Sequence, residues 1–271
     1  MFNITNPGAM RDNIRQSAVE LILVPDLAAG WTVDASGCDG LGAAVGFDVG
    51  RLALIGHSMG ATIAPLTLAL EPRFGAAVLS GAGGSWLNNV VHKLSPLEVR
   101  PIAEAILRYS AHGRSLHEHD PALALLQWGG ESADPPAWGP SVRAAGTDVL
   151  MVQGIVDTYI LPPMANATSL SLSLDLGGPA LDTDDPRLTD YDALGDLLDL
   201  VGATGVSLPF VGAEGDRTGI VVQHAEDGVE DGHEVMFQLE APKRQYACFL
   251  ADFAAGRAPG VPTGAADEAC P

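Results

Sequence analysis

Residues 51–64 read Arg-Leu-Ala-Leu-Ile-Gly-His-Ser-Met-Gly-Ala-Thr-Ile-Ala, and few stretches leave a chain so little choice of fold. Residues 52–55 are a short apolar run of the kind that forms a strand buried on both faces, and a helix of small residues opens after Gly60. Between them lie Gly56, His57, Ser58, Met59 and Gly60. A serine at the tip of so sharp a strand-to-helix turn sits in strained backbone, with glycine on either side because a Cβ would collide with the neighbouring elements. The turn lifts the Ser58 hydroxyl above the sheet. The Met59 amide, at the start of the helix, then faces the place where an oxyanion would develop on a group attacked by Ser58.

A chain of 271 residues can bury one sizeable core. We read residues 1–271 as a single α/β domain with insertions. Apolar content of 47%, with 32 Gly and 19 Pro, is that of a folded globular protein with many turns. No apolar run approaches the roughly 18 residues that cross a bilayer, so the expectation is a soluble chain. The formal charge is −20, and Lys93 and Lys243 are the only lysines. Such a surface repels nucleic acid and anionic membranes.

The three cysteines, Cys38, Cys248 and Cys270, lack metal-ligand spacing. A disulfide between Cys248 and Cys270 would pin the Gly/Pro-rich tail to the last helix and place the protein in an oxidising compartment; free thiols are the alternative. The first seven residues carry neither a basic region nor an apolar signal segment. Localisation therefore stays open, with a secreted or periplasmic site favoured if the chain is a mature or partial form.

Along the chain, residues 6–27 read as one helix and 30–49 as a loop or hairpin. Core strands are expected near 52–56, 74–80, 148–153 and 219–224, and their separation by helices predicts right-handed crossovers and a mostly parallel sheet. Residues 86–143, with short helices over 101–109 and 121–127, read as a cap over the strand ends, and 176–215 as a second insertion with a short helix near 191–201. Residues 162–172 and 242–253 read as helices. Asp182, Asp184 and Asp185 resemble half of a calcium loop but lack its glycine and distal glutamate, so they read as a solvated turn.

An unaided serine hydroxyl is a poor nucleophile; it needs an imidazole to take its proton, and the imidazole needs a carboxylate to hold its tautomer. Asp157 falls just beyond the carboxyl end of the strand at 148–153, where open α/β sheets place functional side chains. His233 follows the last strand in a turn preceded by glycine. Ser58, Asp157 and His233 thus come in the order Ser, Asp, His. His224 is the second choice of base but continues the strand itself, and His57 is tied into the turn. Asp148 starts its strand and lies at the wrong edge. His117 and His119, with Asp120, read as exposed loop residues rather than a metal pair, and no metal or cofactor is expected.

Four segments carry a resemblance: the helix containing Arg11, Asp12, Asn13, Ile14, Arg15 and Gln16; Gly56 to Gly60; Gly154 with Asp157 ahead of a proline-bearing helix; and Asp231, Gly232, His233. Together they resemble the bacterial serine-esterase and extracellular-lipase branch of the α/β-hydrolase superfamily. The resemblance implies an α/β-hydrolase sheet flanked by helices and a carboxylic-ester hydrolase, with Ser58 as nucleophile, His233 as base, Asp157 as its orienter and Met59 as an oxyanion donor. It implies a small-molecule or lipid ester as substrate. The Gly-His-Ser-Met-Gly segment is also similar to the elbow of bacterial cutinases and polyester hydrolases.

Family members carry further strands and an oxyanion-hole loop ahead of the nucleophile, which residues before Asn6 cannot supply. The sheet is therefore expected to be shortened at its N-terminal side, with an exposed edge open to homodimerisation. Either the chain is the C-terminal part of a longer protein, or it is a short member whose second oxyanion donor comes from a rebuilt site such as residues 37–46. Two further readings stay open: a silent hydrolase-type fragment used in binding or assembly, and peptide cleavage by the same three residues.

Overall fold

The computed structural model of the chain describes residues 5–212, 215–264 and 267–270. The reading of the first seven residues as carrying neither a basic region nor an apolar signal segment falls partly outside that set, as do residues 213–214 of the second insertion and parts of the tail. Helix α1 (Pro7–Ile22) is capped by Asn6, whose side chain accepts from the Ala9 amide at 3.0 Å. The single helix expected over 6–27 breaks after Ile22. Pro25 has no amide proton to continue the ladder, and it sits instead in the first turn of a second helix, α2 (Val24–Ala29).

Strands β1 (Thr32–Asp34) and β2 (Ala44–Gly46) then form an antiparallel hairpin. Strand β3 (Leu52–His57) feeds α3 (Met59–Leu70), and β4 (Phe74–Ser80) follows. Helices α4 (Trp86–His92), α5 (Val99–Ile106), α6 (Pro121–Gly130) and α7 (Pro135–Ala144) precede β5 (Asp148–Ile155). The remainder is α8 (Pro162–Ser171), β6 (Asp175–Gly177), α9 (Leu194–Leu197), β7 (Gly205–Val206), β8 (Gly219–Ala225), α10 (Val235–Gln238) and α11 (Glu240–Ala254).

The main sheet has six strands in the order β3-β4-β5-β8-β6-β7, all parallel, with helices on both faces: an α/β fold. Alternation along the strands assigns the faces. Ala77, Leu79, Val149, Met151 and Val221 pack against Leu68 of α3, Met164 of α8 and Val142 of α7. Ala76, Val78, Leu150, Val152, Ile220 and Val222 pack against Val235 and Met236 of α10 and Phe249 of α11. Strands covered on both faces must be apolar throughout, which is why β4, β5 and β8 were legible as continuous runs.

Two insertions differ in extent from the sequence reading. Helices α4 to α6 gather around a separate apolar cluster of Val90, Leu116 and Leu123. Helix α7 belongs to the main layer instead, packing on α3 and α8. Within 176–215, β6 and β7 extend the sheet beyond β8; runs of three and two residues are too short for a period to register.

Strand β3 was expected to be buried on both faces, but Ala53 and Ile55 are exposed, and the strand lies at the sheet's edge. Among the described residues it pairs with β4 alone, and Ile55 is 53% exposed. Leu27, Trp31, Phe47 and Leu70 are exposed as well. At the other end of the chain Cys248 and Cys270 are joined in a disulfide with Cα atoms 5.3 Å apart, while Cys38 is a free, exposed thiol. Among the described residues, no helix is long and apolar enough to cross a membrane.

Candidate active site

Ser58 sits between β3 and α3 at φ 54°, ψ −114°. A non-glycine residue in that region carries about 1–3 kcal/mol of strain, which the surroundings must hold in place. They do so through the Ser58 amide, which donates to the Ser80 carbonyl at the end of β4 at 2.8 Å. A Cβ on Gly56 would come within 2.7 Å of the Gly60 carbonyl group, so only glycine lets the chain double back here. The same argument fails at Gly60. A Cβ there would meet no atom within 4 Å, because the space beside the first turn of α3 is open.

Asp157 follows β5 after Val156, itself at φ 64°. Its Oδ1 accepts from the amides of Tyr159 and Ile160, each at 2.8 Å, and its Oδ2 lies 2.8 Å from His233 Nδ1. The His233 and Asp157 side chains are 4% and 3% exposed. A carboxylate acceptor places the imidazole proton on Nδ1 and leaves the Nε2 lone pair free. The space beside Asp157, lined by Gly81, Gln153 and Gly154, is too small to admit a water molecule.

The ring of His233 is held from two further sides. Tyr159 stacks on it with centroids 4.6 Å apart and planes at 17°. Beneath it, a Cβ on Gly81 would come within 2.6 Å of Cε1; Gly81 stands at φ +53° and clears that space. Because Gly81 follows Ser80, the partner of the Ser58 amide, the imidazole and the serine turn meet at adjacent strand ends. No hydrogen bond among the described residues joins Ser58 Oγ to His233.

His57 lies next to both. Its ring centroid is 4.8 Å from that of His233 and 4.8 Å from Phe237, and its Nδ1 is 3.4 Å from Ser80 Oγ. Burial, and after it the neighbouring His233, push its pKa below the usual imidazole value.

The other sequence candidates resolve into structural parts. His224 is buried against Gln245, Nε2 to Oε1 2.9 Å, and desolvation pushes its pKa down to about 4. Asp148 accepts from the Thr218 amide at the start of the strands. Asp120 caps α6 and takes the Tyr109 hydroxyl, while His117 and His119 are exposed. Asp182, expected to be solvated, is 4% exposed and caps α9 through the Leu194 amide; Asp185 pairs with Arg187. Among the described residues no cluster of His, Cys, Asp and Glu could hold a metal ion.

Leu161, Pro162, Met164 and Trp86 are core, whereas Trp128 is 78% exposed. Trp128 and Trp138 line a cavity of about 640 Å³ with Arg11 and Glu131, and Ser58, Asp157 and His233 are not among its walls. No hydrogen bond ties residues 37–46 to Ser58, Met59 or His233 among the described residues. Sequence reasoning passed over Gly81 and Tyr159 and gave Asp231 no role beyond its place in the resemblance; their contacts across the fold leave no spacing to read.

No protein-family model and no curated protein matches the chain. The geometry therefore stands by itself: a strained serine at the carboxyl edge of a parallel sheet, beside a dry imidazole–carboxylate pair with its free nitrogen available. Such a pair can accept a proton at Nε2 and stabilise the resulting imidazolium.

Proposed function

We propose that the chain is a serine hydrolase of the α/β-hydrolase type, cleaving carboxylic esters through an acyl-enzyme. The observation that carries this reading is the strained Ser58 turn lying at the same sheet edge as the buried His233–Asp157 pair. In this scheme Ser58 Oγ attacks the ester carbonyl as its proton passes to His233 Nε2, and the carbonyl electron pair moves onto oxygen, towards the Met59 amide. The carbonyl re-forms, and the C–O bond to the alcohol breaks; the alcohol leaves with the proton from His233. Water then attacks the acyl-enzyme, losing its proton to His233; the C–O bond to Ser58 breaks, Ser58 Oγ takes that proton back, and the acid leaves. Asp157 keeps the Nδ1 proton in place throughout. The scheme uses no metal or cofactor.

The substrate class is a small-molecule or lipid ester; polyesters and peptides would pass through the same acyl chemistry. The charge of −20 disfavours nucleic acid as a partner, and the Cys248–Cys270 disulfide suits a secreted or periplasmic setting. A second reading, a silent hydrolase-type fold used in binding or self-association, is favoured by β3 as an open edge and by Met59 as the one donor identified for an oxyanion. Loss of a single such donor costs about 100- to 1000-fold in rate.

The deciding experiment is hydrolysis of short and long p-nitrophenyl esters by the chain and by Ser58→Ala, with fluorophosphonate labelling alongside. Turnover and labelling that both vanish in the variant support the hydrolase. A folded chain with neither signal supports the silent fold.

A further inference from the structure

We propose that Asp231 is a positioning residue, a carboxylate strap that fixes the turn bearing Asp157 to the turn bearing His233. The proposal rests on the reading of Ser58, His233 and Asp157 as a triad, but its geometry does not. Asp231 Oδ1 accepts from the His233 amide at 2.8 Å and the Thr158 amide at 3.1 Å. Its Oδ2 accepts from the Thr158 hydroxyl at 2.7 Å and lies 3.3 Å from the Thr158 amide. An ionised carboxylate is acceptor only, with room for about four donors, and here donors come from both turns. Among the described residues no hydrogen bond joins Asp231 to the His233 ring, so Asp231 acts on the imidazole through main chain.

Two further sets of contacts converge on the same junction. Beneath the strap the backbones are in direct contact: a Cβ on Gly232 would come within 2.6 Å of the Ile155 carbonyl oxygen and 2.9 Å of the Asp157 amide. From outside, the segment after α4 grips the acid turn. The Leu94 and Ser95 amides donate to the Thr158 carbonyl at 3.3 and 3.0 Å, and Ser95 Oγ lies 2.9 Å from Thr158 Oγ1. Lys93 Nζ donates to the Tyr159 carbonyl at 2.8 Å. Thr158 Oγ1 has one proton, which goes to Asp231, so the Ser95 hydroxyl donates to it. Ser95, Thr158, Asp231 and His233 thus form one chain of hydrogen bonds from the α4–α6 excursion to the imidazole-bearing turn.

The 2.8 Å bond between His233 and Asp157 joins residues on two different turns. Each turn can shift without breaking its own strand, and a displacement of about 1 Å at a reacting group can cost about 100-fold in rate. Asp231 removes that freedom.

The test uses Asp231→Ala, Asp231→Asn and Thr158→Val in the full chain. The readouts are kcat and KM on p-nitrophenyl butyrate, the melting temperature, and the low-field ¹H resonance of the proton between His233 and Asp157. Asp231→Ala is expected to lower kcat about 10- to 100-fold with KM within about threefold, and to broaden or shift the resonance. Asp231→Asn should recover kcat to within about fivefold of the parent, because its Oδ1 still accepts from the two amides and its Nδ2 can donate to Thr158 Oγ1. Thr158→Val, which removes one strap donor and keeps the volume, should lower kcat a few-fold and serves where Asp231→Ala fails to fold.

The proposal is overturned if folded Asp231→Ala, or Thr158→Val in its place, keeps both kcat and the resonance. A loss of kcat that only tracks the folded fraction overturns it as well. If the parent chain neither turns over nor labels, yet Asp231→Ala abolishes its resonance, the strap stands and the hydrolase reading falls.

Discussion

Gly154 and Gly232 meet backbone to backbone: a Cβ on Gly154 would overlap the Gly232 carbonyl group. Gly154 lies in β5, one residue before its end, and Gly232 immediately precedes His233, so this contact sets the distance between the two turns of the site. Gly154→Ala is expected to destabilise the protein by about 3 kcal/mol, since backbone cannot yield as a side chain can. Gly60→Ala, on the open side of α3, should instead gain about 0.5–1 kcal/mol by removing chain entropy from the unfolded state. Urea unfolding of both variants checks the contrast; equal effects would refute it.

The strain at Ser58 makes a separate claim. Glycine reaches φ 54°, ψ −114° at little steric cost, whereas alanine does not. Ser58→Gly should therefore exceed Ser58→Ala in stability by about 1 kcal/mol, although both remove the hydroxyl and should abolish ester hydrolysis. Thermal melting of the pair, with activity measured in parallel, tests strain and chemistry together. A glycine variant less stable than alanine would mean that the turn stores no strain.

His224 fixes a direction of pH dependence. Its folded-state pKa of about 4 lies below the unfolded value of 6.5, because burial disfavours the imidazolium. Between those values the unfolded chain binds a proton that the folded chain does not, so stability is full above pH 6.5 and falls as pH drops towards 4. The shift corresponds to a loss of about 3 kcal/mol over that window. Denaturation midpoints from pH 7 to pH 4, compared with His224→Gln, should show a slope in the parent that the variant lacks.

The Cys248–Cys270 bond closes a loop of 22 residues. Arg244, which lies on α11 just ahead of that loop and is 7% exposed, donates to two carbonyls within it, that of Thr263 at 2.7 Å and that of Glu268. Chain-entropy arguments place the contribution of such a crosslink at about 3 kcal/mol. Cys248→Ser with Cys270→Ser should lower unfolding stability by about that amount, and reducing agent should do the same to the parent while leaving the double variant unchanged. Unfolding curves with and without reductant make the comparison.

The sequence by itself determined the central strands, the serine turn and the order of Ser58, Asp157 and His233. Each is written in local terms: apolar runs for strands covered on both faces, glycine at Gly56 where the chain doubles back, and an acid and a base after the ends of two of those apolar runs. Local signals also located α1 and α11, and proline at residue 25 marked a break that the helical periodicity of residues 6–27 concealed.

Only the tertiary structure decided the rest. That Ala53 and Ile55 of β3 stay exposed depends on what packs beside them, which no property of residues 52–57 records. The two short strands β6 and β7 exist because β8 offers an open ladder, not because three and two residues prefer to be extended. The need for glycine at 81 and 154 comes from His233 and Gly232, which lie about 150 and 80 positions further along the chain. Asp231 is likewise an ordinary turn aspartate until Thr158 arrives beside it. Such pairings depend on distances through space, and a strand-by-strand reading has no access to them until the sheet is assembled.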